Sequence, residues 1–220
     1  MTDTKRTIDP TRSIFFQGFK CPEYVTIVAP GYNAHDRMGL VALDSYRIAV
    51  NYGITMPVKS DCWIVADWHG IKRAWWKRAD TGYHGFRIFS IGMAERCDVW
   101  DDATGLVFDF VHRRKVERSY KEERPGLKDL FRPDETTVGI AIDLACRFGA
   151  KKIDLLGVDM QGKLYYDGSE STCESCDRSD VWIFRDMLMD VIEWNQAEFG
   201  VEFRSLSETA LPIETIQGDQ

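Results

Sequence analysis

No stretch of the 220 residues is long and apolar enough to read as a membrane span or an export signal. Residues 1–20 (MTDTKRTIDPTRSIFFQGFK) mix polar, charged and apolar side chains, so a cytoplasmic location is the expectation. No internal repeat and no low-complexity tract occurs, which sets aside repeat architectures and disordered linkers. Basic charge is in deficit. With 28 Lys and Arg against 35 Asp and Glu, the net charge is -7 and the pI about 5.2. That balance argues against loose adhesion to nucleic acid or anionic membrane, while leaving room for a local basic patch. Paired cysteines are also scarce. Cys21, Cys62, Cys97, Cys146, Cys173 and Cys176 are scattered, most of them in apolar surroundings. Without an export signal this is not a disulfide scaffold, and such thiols act as small hydrophobes. Cys173 and Cys176 form a single C-x-x-C with no second pair or histidine in the same loop. Two ordinary thiols are the plain reading, with a zinc or redox pair as the sharper alternative.

What is present is an ordinary globular composition, 44% hydrophobic and 29% charged, on a chain long enough for one large domain. Short apolar runs alternate with longer amphipathic stretches. That alternation predicts an α/β fold, a Rossmann-like three-layer sandwich with a mainly parallel sheet and a long lid loop. Strands are expected at 24–29 (YVTIVA), 46–50 (YRIAV), 62–66 (CWIVA), 152–156 (KIDLL) and 201–206. Residues 86–91 and 106–112 alternate as strands, with an antiparallel arrangement open. Short helices are expected at 35–43 and 71–78. Residues 137–148 are apolar almost all round and read as a buried helix, capped by Thr136 or Asp134 and closed by Gly149. Residues 181–199 read as an amphipathic helix. The charged run 112–124 (HRRKVERSYKEER) reads as a solvated helix face, with an acceptor-binding basic patch as the alternative. The expected organisation is a tail at 1–20, one domain at 21–212 with a lid loop at 160–179, and a tail at 213–220.

In open parallel sheets, ligands bind beyond the carboxyl ends of the strands. Residues that do not look like packing follow four strands: Gly31 and Asn33, Asn51, Asp67 and His69, and Asp159. Gly31 permits a tight turn and close backbone approach to a phosphate or ribose, although a plain Pro-Gly turn explains it as well. The helix start at Thr136 and Thr137 offers free amides and two hydroxyls to an anion, against simple capping. Asp67 and Asp159 suit a metal or ribose hydroxyls, against turn and cap roles. His69 could supply a base or a ligand, but no third ligand stands at metal spacing. Tyr52 and Trp68 lie where a ring could stack on a base or sugar, against packing.

The string TTVGIAIDLACRFGAKKIDLLGVDM (136–160) resembles a pattern of Thr-Ser-Gly-Gly, an apolar helix, Leu-Gly-Ala, a Lys-Ile-x-Leu-x-Gly strand and an Asp. Bacterial lipooligosaccharide sialyltransferases share that pattern with a larger group. The group includes flagellin-modifying motility accessory factors and archaeal hydroxymethylpterin pyrophosphokinase-like proteins. VTIVAPGYNA, RIAVNYGI, DCWIVAD and VEFRSLSETALP resemble the group's other strand ends more loosely. The resemblance implies that Gly31, Asn33 and Asn51 contact a nucleotide, and that Thr136, Thr137 and Val138 line its phosphate or sugar; Tyr32, Tyr52, Asp67 and Gly157, beside them at the strand ends, complete the candidate donor-binding set. It places Tyr165 or Tyr166 as a lid tyrosine on the donor phosphate, and Asp159 on the crevice floor. This sequence departs from the pattern at Ala29, Tyr32 and Val138. Its stretch 174–179 holds no histidine where the sialyltransferases keep their general base, and Cys176 lies nearest that place. A base would then come from Asp159, Asp177, Asp180 or His69.

The leading expectation is a nucleotide-dependent transferase, a glycosyltransferase using a nucleotide sugar, with no cofactor required. One alternative is an ATP- and magnesium-dependent pyrophosphokinase acting on a pterin-like alcohol, with Asp67 and Asp159 on the metal. Another is a non-catalytic nucleotide-binding protein. The acceptor is not identified, nucleic acid is disfavoured by charge alone, and a homo-oligomer is compatible with the sequence.

Overall fold

The computed structural model describes residues 7–14, 17–66, 83, 85–97, 100, 105–108, 136–160, 164–169 and 181–217. Eight strands form one sheet: β1 (Tyr24–Val28), β2 (Tyr46–Val50), β3 (Cys62–Val65), β4 (Phe86–Ser90), β5 (Gly105–Phe108), β6 (Lys152–Leu156), β7 (Glu202–Ser205) and β8 (Glu214–Thr215). Their order is β5-β4-β3-β2-β1-β6-β7-β8, and every neighbouring pair is parallel. The α/β sandwich expected from the alternation of apolar runs is therefore present. The pair at β4 and β5, open to an antiparallel reading from sequence, runs parallel with Ile88 beside Leu106.

Period-two alternation sorts each strand onto two faces. Val25 and Ile27, Ile48 and Val50, Cys62 and Ile64, and Ile153 and Leu155 belong to one cluster. Two helices cover it: α2 (Thr137–Arg147) and α3 (Val181–Phe199), numbered after the single turn α1 (Ile91–Ala94). The opposite face carries Ala49, Trp63, Val65, Phe89 and Val107, packed on Tyr52, Met93 and Trp100. Its cover is thin. Where a helix was expected at 35–43, the chain makes two separate 3-10 turns, Tyr32–Ala34 and Met38–Leu40, and a third follows at Asn51–Thr55. Gly39 interrupts the candidate helix, and Leu43 stands 92% exposed, so the apolar stripe a helix would bury is missing.

α2 follows its sequence closely. The Thr136 side chain accepts the Gly139 amide at 3.0 Å and caps the helix. At the other end Ala150 N donates to Ala145 O at 2.9 Å and Gly149 N to Cys146 O at 3.2 Å, with Gly149 at φ +124. This is a Schellman closure, and it turns the chain directly into β6. Asp154, mid-strand in β6 and 1% exposed, is held by two hydrogen bonds from Arg204 at 2.9 Å and one from Tyr24 Oη at 2.6 Å. The described cysteines Cys21, Cys62, Cys97 and Cys146 are buried free thiols. Burial pushes the Cys21 thiol up to about 12.

Candidate functional site

β1 and β6 lie side by side, yet the chain leaves β1 towards β2 and β6 towards β7, in opposite directions across the sheet. A crevice opens where the crossing direction reverses, outside the carboxyl ends of those two strands. Two loops meet there. Gly31 N donates to Gly157 O at 2.9 Å, and Ala29 N to Leu156 O at 2.8 Å. A Cβ on Gly31 would stand 2.3 Å from Gly157 O and 2.6 Å from the Asp159 carboxyl carbon. Gly31 itself is extended, at φ -64 and ψ 151. It is glycine because the neighbouring loop lies against it, whereas the sequence suggested a close approach to phosphate. Gly157 is the reciprocal case: it adopts φ +69, and a Cβ there would sit 2.2 Å from Ala29 O.

Asp159 is held at this meeting point, 5% exposed. Its Oδ2 accepts the Asn33 backbone amide at 2.8 Å. Its Oδ1 is buried and has no hydrogen-bond partner among the described residues. Burial raises the carboxyl to about 6; the Asn33 amide opposes the rise, Glu208 adds to it, and the Tyr32 amide opposes it. Tyr32 is 48% exposed. The Asn33 side chain is committed, donating Nδ2 to Glu208 O at 3.0 Å.

The segment following β7 fastens this floor residue by residue. Gly157 N donates to Ser207 Oγ at 2.9 Å, Thr209 Oγ1 donates to Val158 O at 2.6 Å, and Ala210 N donates to Asp159 O at 2.9 Å. Sequence reasoning missed Ser207, Glu208 and Thr209 as site residues. Their only signal was the family-like tail SLSETALP, which says nothing about contacts 50 residues away.

Beside the floor, β2 ends in Asn51, at φ +49, a left-handed backbone that asparagine tolerates better than most residues. Its Nδ2 donates to Thr137 Oγ1 at 3.1 Å, and its carbonyl accepts Trp63 Nε1 at 3.0 Å. The first turn of α2 is thereby pinned to the end of β2. Thr136 caps, Thr137 is buried on Asn51, and Val138 packs against the core. For an anion this leaves the Thr137 and Val138 amides, since Gly139 N is taken by the Thr136 side chain and Ile140 N by its carbonyl.

The described part of the long loop, residues 164–169, is docked on these strand ends. Tyr165 forms an antiparallel bridge with Gly31, and Tyr166 N donates to Pro30 O at 2.9 Å. The Tyr166 hydroxyl donates to Thr55 O at 2.8 Å, so its proton is engaged within the fold. Tyr165 sets its ring edge-on to Tyr52 at 4.7 Å, and its hydroxyl has no hydrogen-bond partner among the described residues. Of the two tyrosines, Tyr165 is therefore the one whose hydroxyl is uncommitted among the described residues. Tyr52, a stacking candidate from sequence, is only 1% exposed and lies beneath this turn. Its hydroxyl donates to Asp167 Oδ2 at 2.8 Å. Thr55, Asp167 and His35, whose Nδ1 lies 3.1 Å from Tyr166 O, were also missed. Asp67, Trp68, His69, Cys173, Cys176, Asp177, Asp180 and the charged run 112–124 lie outside the described residues.

For magnesium, the described donor set is thin. Asp159 offers one free carboxylate oxygen, and no group of three or more His, Cys, Asp or Glu residues among the described residues could hold a metal ion.

No family model matches the chain, and no curated protein does. Solved structures do. The sialyltransferase CstII from Campylobacter jejuni, in complex with the substrate analogue CMP-3FNeuAc, aligns over 90% of this chain and 90% of that one, with a TM-score of 0.52 and 12% sequence identity. The fold is sialyltransferase-like. A tyrosine-to-phenylalanine variant of the same sialyltransferase, in complex with CMP, covers 89% of each chain at 12% identity with a TM-score of 0.47. No described helix is long and apolar enough to cross a membrane.

Proposed function

We propose that this chain is a nucleotide-dependent transferase, and within that class a glycosyltransferase taking a nucleotide-sugar donor. The observation that carries the reading is Asp159 Oδ1, a buried acceptor with no partner among the described residues, at the reversal of strand order. An acceptor left so costs about 1–3 kcal/mol, and a ligand hydroxyl or amino group would remove that cost on binding. Ribose and sugar hydroxyls are such groups. Support comes from the fold, shared with a sialyltransferase solved with a CMP-sugar analogue.

In this reading the donor nucleotide lies across the loop at Gly31 to Asn33, with Asp159 accepting a donor hydroxyl. The Thr137 and Val138 amides at the start of α2 and the Tyr165 hydroxyl face its phosphate. An acceptor hydroxyl attacks the anomeric carbon, the bond to the phosphate oxygen breaks, and the nucleotide leaves with that electron pair. The acceptor proton passes to a base. Asp159, with its carboxyl near 6, is matched to proton acceptance around neutral pH. His69 and Asp177 remain the other candidates.

A thermal-shift series with CMP, CDP, UDP, GDP and ATP, each with and without magnesium, tests the proposal. A pyrimidine nucleotide at about 100 times its Kd, without metal, should raise Tm by roughly 5–10 °C. A response to ATP with magnesium alone would favour pyrophosphoryl transfer and overturn glycosyl transfer. Silence from all five would remove the nucleotide reading.

A further inference from the structure

The connection after β6 reads in sequence as a single lid, but its described part is tied down in a way a moving lid would not be. Asp167 does two jobs. Its Oδ1 accepts Ser169 N at 3.0 Å and Ser169 Oγ at 2.5 Å, folding residues 166–169 into a tight turn. Its Oδ2 accepts the hydroxyl of Tyr52, a residue 1% exposed and packed in the sheet's second core cluster. The same turn is closed by Gly168 N to Tyr165 O at 2.9 Å and Tyr165 N to Ser169 O at 2.8 Å. Outward contacts reach two strand-end loops: Pro30, Gly31 and His35 after β1, and Thr55 after β2. Tyr52 meets both Tyr165 and Tyr166, at ring separations of 4.7 and 5.9 Å.

A ring that only filled the core would be phenylalanine. The Tyr52 hydroxyl is buried, and its one described acceptor is a carboxylate on the loop above. A charge-assisted bond of this kind is stronger than a neutral one. We propose that Tyr52 is a positioning residue, whose hydroxyl, through Asp167, seats the turn at 164–169 against the Gly31 loop before any ligand arrives. The turn is then a pre-built wall of the donor crevice, carrying Tyr165 in place. The wall's role at the crevice rests on the proposed nucleotide-donor reading; the latch itself does not.

The test separates the two. Tyr52→Phe keeps the ring and removes the hydroxyl. In the ligand-free full chain, hydrogen exchange at the Tyr165, Tyr166 and Gly168 amides should quicken about five- to tenfold, the loss of one charge-assisted bond, while β6 amides stay unchanged. Asp167→Ala also loses the two bonds from Ser169 and should give a similar or larger increase, and the double variant should exchange no faster than Asp167→Ala, because the bond that Tyr52→Phe removes is already lost there. Equal exchange in wild type and Tyr52→Phe would overturn the latch, as would additive effects in the double variant. With saturating CMP, the same three amides should slow at least threefold in the wild type. Bound CMP that leaves them unchanged would overturn the wall. If no nucleotide binds, the donor reading fails and the wall with it, while the ligand-free arm still decides the latch.

Discussion

Burying a carboxylate without a counter-charge costs stability at neutral pH, and at Asp159 the sign of that cost can be checked. Its carboxyl is raised from 3.8 to about 6, chiefly by burial. Between those values the native state binds the extra proton, so this residue's contribution to stability falls as pH rises through the window and stays low above it. The difference corresponds to an order of 2–3 kcal/mol at pH 7.5. Asp159→Asn keeps an acceptor for the Asn33 amide and removes the charge. In ligand-free protein it should therefore be more stable than wild type at pH 7.5, by about 1–2 kcal/mol in chemical denaturation, with the gain shrinking towards pH 4. Nucleotide response should fall in the same variant. A variant less stable than wild type at pH 7.5 would show that Oδ1 is not the orphan it is taken for. Glycine tells a related story nearby. Gly31→Ala has an allowed backbone, so its cost is overpacking against Gly157 and Asp159, expected at about 2–4 kcal/mol. Gly39→Ala, with nothing within 4 Å of its new Cβ, is the control and should change stability by less than about 1 kcal/mol.

Elements whose stability is local were the ones sequence made visible. α3 spans Val181–Phe199 as its periodicity predicts, and α2 begins and ends at its cap residues, because caps and apolar stripes are written in adjacent positions. Strand positions came from apolar runs for the same reason. Strand direction did not: four or five residues of β4 and β5 read alike in either sense, and the parallel choice is made by the crossover between them. The site was legible as a set of strand ends. What held it together was not, since Gly31 against Gly157, Asn51 against Thr137, and Asn33 against Glu208 join residues 86 to 175 positions apart. At this scale Thr136 makes a sharp prediction. Thr136→Ala removes the acceptor for Gly139 N and should cost about 1 kcal/mol, while Thr136→Ser keeps it and should cost a few tenths. Equal losses in thermal melts would mean that the methyl group, not the hydroxyl, matters there.

The whole sheet has two edges, and the chain treats them differently. At one edge the short β8 pairs with β7. At the other, the segment expected to be a free tail lies along β5. Arg12 donates to Gly105 O from Nε at 3.0 Å and from Nη2 at 2.6 Å, Ser13 bridges to Val107, and Ile14 N donates to Val107 O at 2.9 Å. Ile14 is 0% exposed within the main core, and Phe19 stacks on Phe86 at 5.8 Å. Exposed parallel edges invite pairing with other chains, so this cover should guard solubility as well as stability. Ile14→Ala should cost about 2–4 kcal/mol, the loss for a buried aliphatic side chain. Removing residues 1–14 should go further, lowering Tm and raising light scattering at concentrations where the full chain stays clear. If the truncated chain melts at the full-length temperature without scattering, the edge is protected by some other part of the molecule, and the sheet does not depend on its amino-terminal strap.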